Sequence, residues 1–253
     1  MNYPNRIIKK KEADKDIVTA IQKKLNDLNF GPIDVDGDFG KNTESAVKLF
    51  QTQNFDAAGL PLTADGQVGS VTWAALFGDA TVINDNTMPS NLLSSALMIA
   101  ISQINVVEVP MGSNRGPQVD VYLRRAGLNP VGAHYSWCAA FTYYCFDEAS
   151  KKIGNSNPLP KTAGVLELFR RAKCTKIAQS AALANPNLIV PGCIFIIDHG
   201  GGMGHTGIVE SVNGGNITTI EGNTNSALSS NGYGVFRLNR RKISQINKGF
   251  LQF

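Results

Sequence analysis

No stretch of this 253-residue chain reaches the ~18 consecutive apolar residues of a membrane-spanning helix. The N-terminus also lacks the uninterrupted apolar core of a secretory signal. Export by the general secretory route is therefore not encoded, and the expectation is synthesis in the cytoplasm with no membrane partner. Cysteine is scarce: Cys138, Cys145, Cys174 and Cys193 form no C-x-x-C pair, too few for a disulfide-dense secreted scaffold. Their spacings to histidine match no common zinc finger, so no metal and no cofactor are expected. Net charge is only +4, which favours an anionic polymer without giving the dense basic stripe of a nucleic-acid binder. The run Lys9-Lys10-Lys11 reads as a solvated terminus. With 43% hydrophobic and 17% charged residues, what is present is ordinary globular material, enough for one large or two modest domains.

One set of residues carries chemistry. Cys138 sits in Trp137-Cys138-Ala139-Ala140-Phe141, and downstream come His205 in Gly204-His205-Thr206-Gly207-Ile208-Val209, then Glu221 and Asn223. These are the residue types of a thiol hydrolase, in the order nucleophile, base, orienter. A thiol becomes a good nucleophile when an imidazole takes its proton, and the imidazole works when a third group holds its tautomer. A helix from Trp137 to about Lys151 puts Cys138 at an N-terminus, where unpaired amides and the helix dipole favour the thiolate. Gly204 and Gly207 leave room for substrate beside His205. His199, in Asp198-His199-Gly200-Gly201-Gly202, is a rival base on a loop that would hold its ring less rigidly. The other three cysteines read as buried and inert. Trp137, Tyr143 and Tyr144 are candidate groove residues, although aromatics on a helix are more often core.

Early in the chain an echo appears. Asp36-Gly37-Asp38-Phe39-Gly40, with Thr43, Ala46 and Phe50 after it, is answered by Asp65-Gly66-Gln67-Val68-Gly69 with Thr72, Ala75 and Phe77. Each copy reads as an Asp-Gly turn and a short helix. Ile17, Ala20, Ile21, Leu25 and Leu28 predict a further helix from about Asp14 to Leu28, giving three short helices around one core. Asp34, Asp36 and Asp38 could open a calcium loop, but Phe39 stands where such a loop needs Gly and Ser45 where it needs Glu, so the turn reading wins. Residues Ile17 to Phe77 resemble the peptidoglycan-binding domain of cell-wall hydrolases through Val35-Asp36-Gly37-Asp38-Phe39-Gly40, Thr43, Ala46, Val47, Phe50 and Gln51. The resemblance implies a wall-binding surface, with Asp36 and Phe39 as candidate contacts.

Residues 79–91 turn to Asp, Asn, Thr, Pro and Ser and are expected to be a linker between a first domain, 1–78, and a second, 92–253. Helical patterns start at Leu92 and at Pro117, and β-rich runs follow at Cys193–Ile197, His205–Val212, Asn216–Glu221, Gly234–Leu238 and Phe250–Phe253. The fold class expected is two domains, a small all-α three-helix bundle and then an α+β domain with an antiparallel sheet. Parity decides whether His205 can meet Glu221: a three-residue loop, Asn213-Gly214-Gly215, places Gly207 opposite Glu221 and His205 opposite Asn223. A two-residue turn would send Glu221 to the other face. The three-residue loop is therefore predicted.

The second domain resembles a CHAP domain, the cysteine, histidine-dependent amidohydrolase/peptidase family of the papain-like superfamily, in WCAAF around Cys138, GHTGIV around His205 and the EGN run of Glu221 and Asn223. Glu108-Val109-Pro110, Asn114-Arg115-Gly116-Pro117 and Tyr122-Leu123 resemble the approach to the nucleophile in one branch of that family. The calcium-binding DxDxD stretch of some phage members has no counterpart in Gln118 to Trp137. The resemblance implies Cys138 as nucleophile, His205 as base, and Glu221 with Asn223 around the imidazole. It implies hydrolysis of a peptidoglycan amide, by an N-acetylmuramoyl-L-alanine amidase or an endopeptidase, with Trp137 and Gly204 near the substrate. The partner expected is peptidoglycan, not nucleic acid, with a holin or a secretion apparatus delivering the chain to the wall. A non-catalytic wall-binding protein and a thiol protease acting on proteins are the alternatives.

Overall fold

The computed structural model describes residues 1–57, 59–83, 90–132, 134–227 and 232–253. Two compact units result, one of Met1–Asn84 with Leu183–Asn187 and Asn213–Asn216, the other of the remaining chain. Of the expected linker, residues 84–89 lie outside the described residues; its described start, Asp79–Thr81, forms a 3-10 turn.

Among the described residues the first unit contains α1 (Lys15–Asp27), α2 (Lys41–Gln53) and α3 (Ser70–Phe77). Asp14 starts α1 by accepting the Ile17 amide at 3.2 Å, and satisfies one of the amides a helix start leaves unpaired. Ile17, Val18, Ile21 and Leu25 from α1 meet Val47 and Phe50 from α2 and Trp73 from α3 in one buried cluster. The echo in sequence is an echo in hydrogen bonding. Gln22 Nε2 donates to Asp36 Oδ1, the Asp38 carbonyl and Thr43 Oγ1, and its Oε1 accepts the Gly37 amide. Gln51 repeats every bond, with Asp65, Gln67, Thr72 and Gly66. Each glutamine and its aspartate are 14 positions apart. Asp36 and Asp65 each also accept the amide two residues on, at 2.9 and 2.8 Å, which builds the turn.

In the second unit Ser90 caps α4 (Asn91–Ser102) by accepting the Leu93 amide. Pro117 opens α5 (Pro117–Arg125), where a missing amide costs nothing. Helix α6 (Cys138–Lys152) follows, then α7 (Val165–Arg171), strand β1 (Thr175–Ile177), α8 (Gln179–Ala184) and strands β2 (Ile194–Gly200), β3 (Met203–Asn213), β4 (Asn216–Thr224), β5 (Gly234–Lys242) and β6 (Gly249–Gln252). The sheet runs β1-β6-β2-β3-β4-β5. Pairs Ile197↔His205 and Phe195↔Gly207 fix β2 against β3 antiparallel. Leu97, Tyr122, Phe141 and Phe146 from the helices share a core with Ile194, Ile196, Ile208 and Ile220 from the sheet. Each such side chain, fully buried, contributes roughly 1.5–3 kcal/mol.

Two sequence expectations need correction. Only Gly214 and Gly215 separate β3 from β4, at φ 55° and 85°, the two-residue turn that glycine at both central positions makes easy. Yet a Cβ built on Gly207 would lie 2.8 Å from Glu221 Cγ, so Gly207 and Glu221 do share a face. Parity then requires a one-residue shift in pairing between the turn and the site, the effect of a β-bulge. His199, expected on a loop, belongs to β2.

Candidate active site

Helix α6 begins at Cys138. Its N-cap, Trp137, supplies no side-chain cap, so the first-turn amides are not satisfied by a capping side chain. What holds this start in place is the indole: Trp137 Nε1 donates to Glu108 Oε1 at 2.8 Å, and the ring packs 5.8 Å from Tyr122. On the far side Gly222 of β4 admits the helix closely. A Cβ there would stand 2.7 Å from Phe141 Cβ and 2.8 Å from Trp137 Cζ3.

His205 and Glu221 are both fully buried. The ring donates from Nε2 to Glu221 Oε2 at 2.7 Å, which leaves Nδ1, buried and without a hydrogen-bond partner, as the nitrogen free to serve Cys138. Glu221 is held from three sides. Thr219 Oγ1 donates to Oε1 at 2.5 Å, and Arg241 reaches both oxygens at 2.7 Å in a bidentate fork. Arg241 also lies 5.1 Å over the Phe195 ring.

These contacts decide the charges. Burial works to lower the His205 pKa, but Cys138 and Glu221 beside the ring outweigh it and raise its affinity for a proton above the ordinary range. Burial works to raise the Glu221 pKa, and His205 with Arg241 overcome it and hold the carboxyl ionised, well below the usual range. The other buried thiols are different: burial pushes Cys193 up to about 12 and Cys145 higher than its ordinary value, which keeps both inert. A cleft of about 440 Å³ opens at the site, lined by Ser136, Cys138, Gly164, His199, Met203 and Gly204. A thiol at a helix start, a buried imidazole with a raised proton affinity, an anchored carboxylate and an open cleft together can perform nucleophilic acyl chemistry.

Residues 130–223 match the family model described as CHAP domain, and residues 14–76 match one described as a putative peptidoglycan binding domain. The chain joins a peptidoglycan-binding domain to a CHAP domain. That pairing supports a peptidoglycan hydrolase. No curated protein and no solved structure matches the chain.

Within the CHAP domain the structure brings Cys138 and Gly204 to one cleft, and His205 to Glu221. Asn223 is fully buried in β4 at φ 58°, with both amide atoms unpartnered. Trp137 is corrected: its side chain is fully buried, so it positions the helix start and offers no face to a substrate. Phe39 is corrected likewise, because it is fully buried in the core of the peptidoglycan-binding domain. Asp36 lines a shallow pocket of about 200 Å³ with Asp34, Asp38, Lys41 and Asn42. His199 forms part of the cleft wall and is exposed, without the carboxylate partner that orients His205.

Nothing in the sequence points to Arg241, and Glu108 is placed only in the approach to the nucleophile, without its bond to Trp137; both lie outside the matched stretch. Arg241 sits in Arg237-Leu238-Asn239-Arg240-Arg241-Lys242, a charged run that looks solvated. Strand alternation gives no signal for it: Leu238 and Arg241 are both buried although three residues apart on β5, whereas alternation would send them to opposite faces.

Proposed function

We propose that the chain hydrolyses an amide bond in the peptide part of peptidoglycan, as an N-acetylmuramoyl-L-alanine amidase or an endopeptidase. The carrying observation is a cysteine at an uncapped helix start, on an open cleft, beside an imidazole whose other nitrogen is bonded to a buried carboxylate.

His205 Nδ1 takes the Cys138 thiol proton, and the sulfur attacks the amide carbonyl carbon to give a tetrahedral oxyanion. First-turn amides of α6 face the negative charge; one such donor is commonly worth about 2.7–4 kcal/mol. The imidazolium then protonates the leaving nitrogen, the C–N bond breaks, and a thioester remains. His205 next takes a proton from water, whose oxygen attacks the thioester, and the thiol leaves with its proton restored. Glu221 keeps the imidazole in the required tautomer and stabilises its charged form. Asn223, buried and unpartnered beside this pair in sequence, is the further polar group of the site.

The first domain concentrates the catalyst on its polymer. Action at the wall follows, with a holin or a secretion apparatus as the means of delivery. Mass spectrometry of soluble muropeptides incubated with the chain, with casein alongside, tests the reading. Fragments split at one amide, with casein intact, support it. Casein cleavage with muropeptides untouched would assign a thiol protease, and no product from either would assign a binding protein.

A further inference from the structure

A second pocket is linked to the catalytic helix through Trp137, whose indole bonds to Glu108 of the pocket's lining, and nothing in the proposed reaction uses it. Its volume is about 180 Å³, and its lining includes Glu108, Met111, Asn114, Asn225 and Tyr233. Glu108 is only 4% exposed. One carboxylate oxygen accepts the Trp137 indole N–H at 2.8 Å, while Oε2 has no partner at all. Asn114, held at φ 55°, turns a second buried oxygen, Oδ1, that is also unpartnered. Leaving a buried acceptor unpaired costs about 1–3 kcal/mol, and more when it is charged. No Lys, Arg or His stands among the described lining residues to neutralise Glu108.

The loop that carries these oxygens is firmly placed. Glu108 N donates to the Tyr233 carbonyl at 2.8 Å, and Val109 N to the Arg115 carbonyl at 2.9 Å. Arg115 in turn grips Asp120 of α5 through two bonds of 2.7 and 2.8 Å. The unpaired acceptors are thus preorganised, as a binding site requires.

We propose that this pocket binds a primary ammonium group of the substrate peptide, with Glu108 Oε2 and Asn114 Oδ1 as its acceptors. An ammonium is compact, carries three donors and needs one negative partner. The pocket supplies one carboxylate, and Met111, 70% exposed at its edge, offers apolar surface for the carbon chain behind the nitrogen. A divalent cation fits worse: hard cations gather six or more oxygens, usually with several carboxylates, and no cluster of three His, Cys, Asp or Glu side chains occurs among the described residues. Because Glu108 bonds to the residue preceding Cys138, an amine held there sets where the peptide's amides fall relative to the thiol. This inference rests on the hydrolase reading for its substrate but not for its chemistry.

The test is calorimetric binding to the full chain carrying Cys138→Ala, which leaves peptides uncut. The probes are L-alanyl-γ-D-glutamyl-L-lysine and its Nα-acetyl and Nζ-acetyl forms. Blocking the recognised amine is expected to weaken binding about tenfold or more, and the form that loses affinity identifies which amine enters. Adding Glu108→Gln, which keeps an acceptor for the indole but loses the charge, should abolish that preference. Adding Asn114→Asp, which tolerates the left-handed backbone, should tighten binding of the amine form severalfold. Equal binding of all three peptides, unchanged preference in the Glu108→Gln chain, or no binding by any peptide would overturn the inference. Sacculus digestion by the unmodified chain is scored separately: cleavage indifferent to the amine removes only this pocket's role, whereas amine-dependent binding without any cleavage removes the reaction and keeps the pocket.

Discussion

Glu221 accepts hydrogen bonds from His205, Thr219 and Arg241, so it stays ionised and nearly immobile. Glu221→Gln keeps the shape and removes the charge, and kcat on muropeptides should fall ~10²-fold or more. The pH profile gives the sign. Glu221 helps raise the His205 pKa against the lowering effect of burial, so its loss should move the acid limb of kcat/KM, where the base must lose its proton before it can take the thiol's, to lower pH; an unmoved limb would contradict the assignment. Stability follows the same linkage. A raised His205 contributes fully below its ordinary value of 6.5 and loses that contribution as pH climbs through the folded value. A depressed Glu221 contributes fully above 4.5 and loses it as pH falls through its own. The melting-temperature gap between wild type and Glu221→Gln should therefore be widest between those two ordinary values and narrow on both sides. Arg241→Lys, which cannot reproduce the fork, should lower kcat about tenfold with little change in KM. Legibility at this scale was uneven: Cys138, His205 and Glu221 stand out by type and order, whereas Arg241 and Glu108 act through partners far away in sequence.

At the scale of elements, two close packings position the site. Gly222 lets β4 approach the start of α6, and Gly222→Ala would overpack that contact at a cost of about 1–3 kcal/mol while separating Cys138 from the strand after Glu221. Activity should fall further than thermal stability predicts, which kcat measured well below the melting temperature would reveal. In the first domain, Gln22→Ala or Gln51→Ala each strands a glycine amide and removes the donor to an aspartate, a backbone carbonyl and a threonine oxygen. Each should lower stability by about 2 kcal/mol or more in chemical denaturation. Equal effects from the two are expected, since the networks are copies. The longer helices were legible because starts and periodicity are local, as at Asp14 for α1 and Pro117 for α5, whereas the short helices α7 and α8 were not anticipated. The turn at Gly214-Gly215 was misread because the register at Glu221 was used to infer loop length, and a shift along the strands broke that link. Strand β1, three residues without alternation, exists through its pairing with β6, Ile177 against Phe250. Nothing local announces it.

On the scale of the whole molecule, a peptidoglycan-binding domain and a CHAP domain in one chain would work as an avidity device on the wall. Lys41 and Asn42 line the shallow pocket of the first domain beside Asp34, Asp36 and Asp38 and offer hydrogen-bond donors to a polymer there. Replacing both with Ala should reduce sedimentation with sacculi and lysis of sacculi by about tenfold or more, leaving turnover of soluble muropeptides unchanged. Equal losses on both substrates would make that domain structural only. The two-domain plan was legible because each domain announces itself through a compact motif. The bond cut was not, because cleft walls at Gly164, His199 and Met203 come from three separate segments. The central claim is that Cys138 is the nucleophile of a wall hydrolase, and turbidity loss of purified sacculi with wild type and Cys138→Ala side by side tests it most directly. Clearing by wild type, with none by a Cys138→Ala chain of unchanged melting temperature, is the predicted result; clearing by both would contradict it.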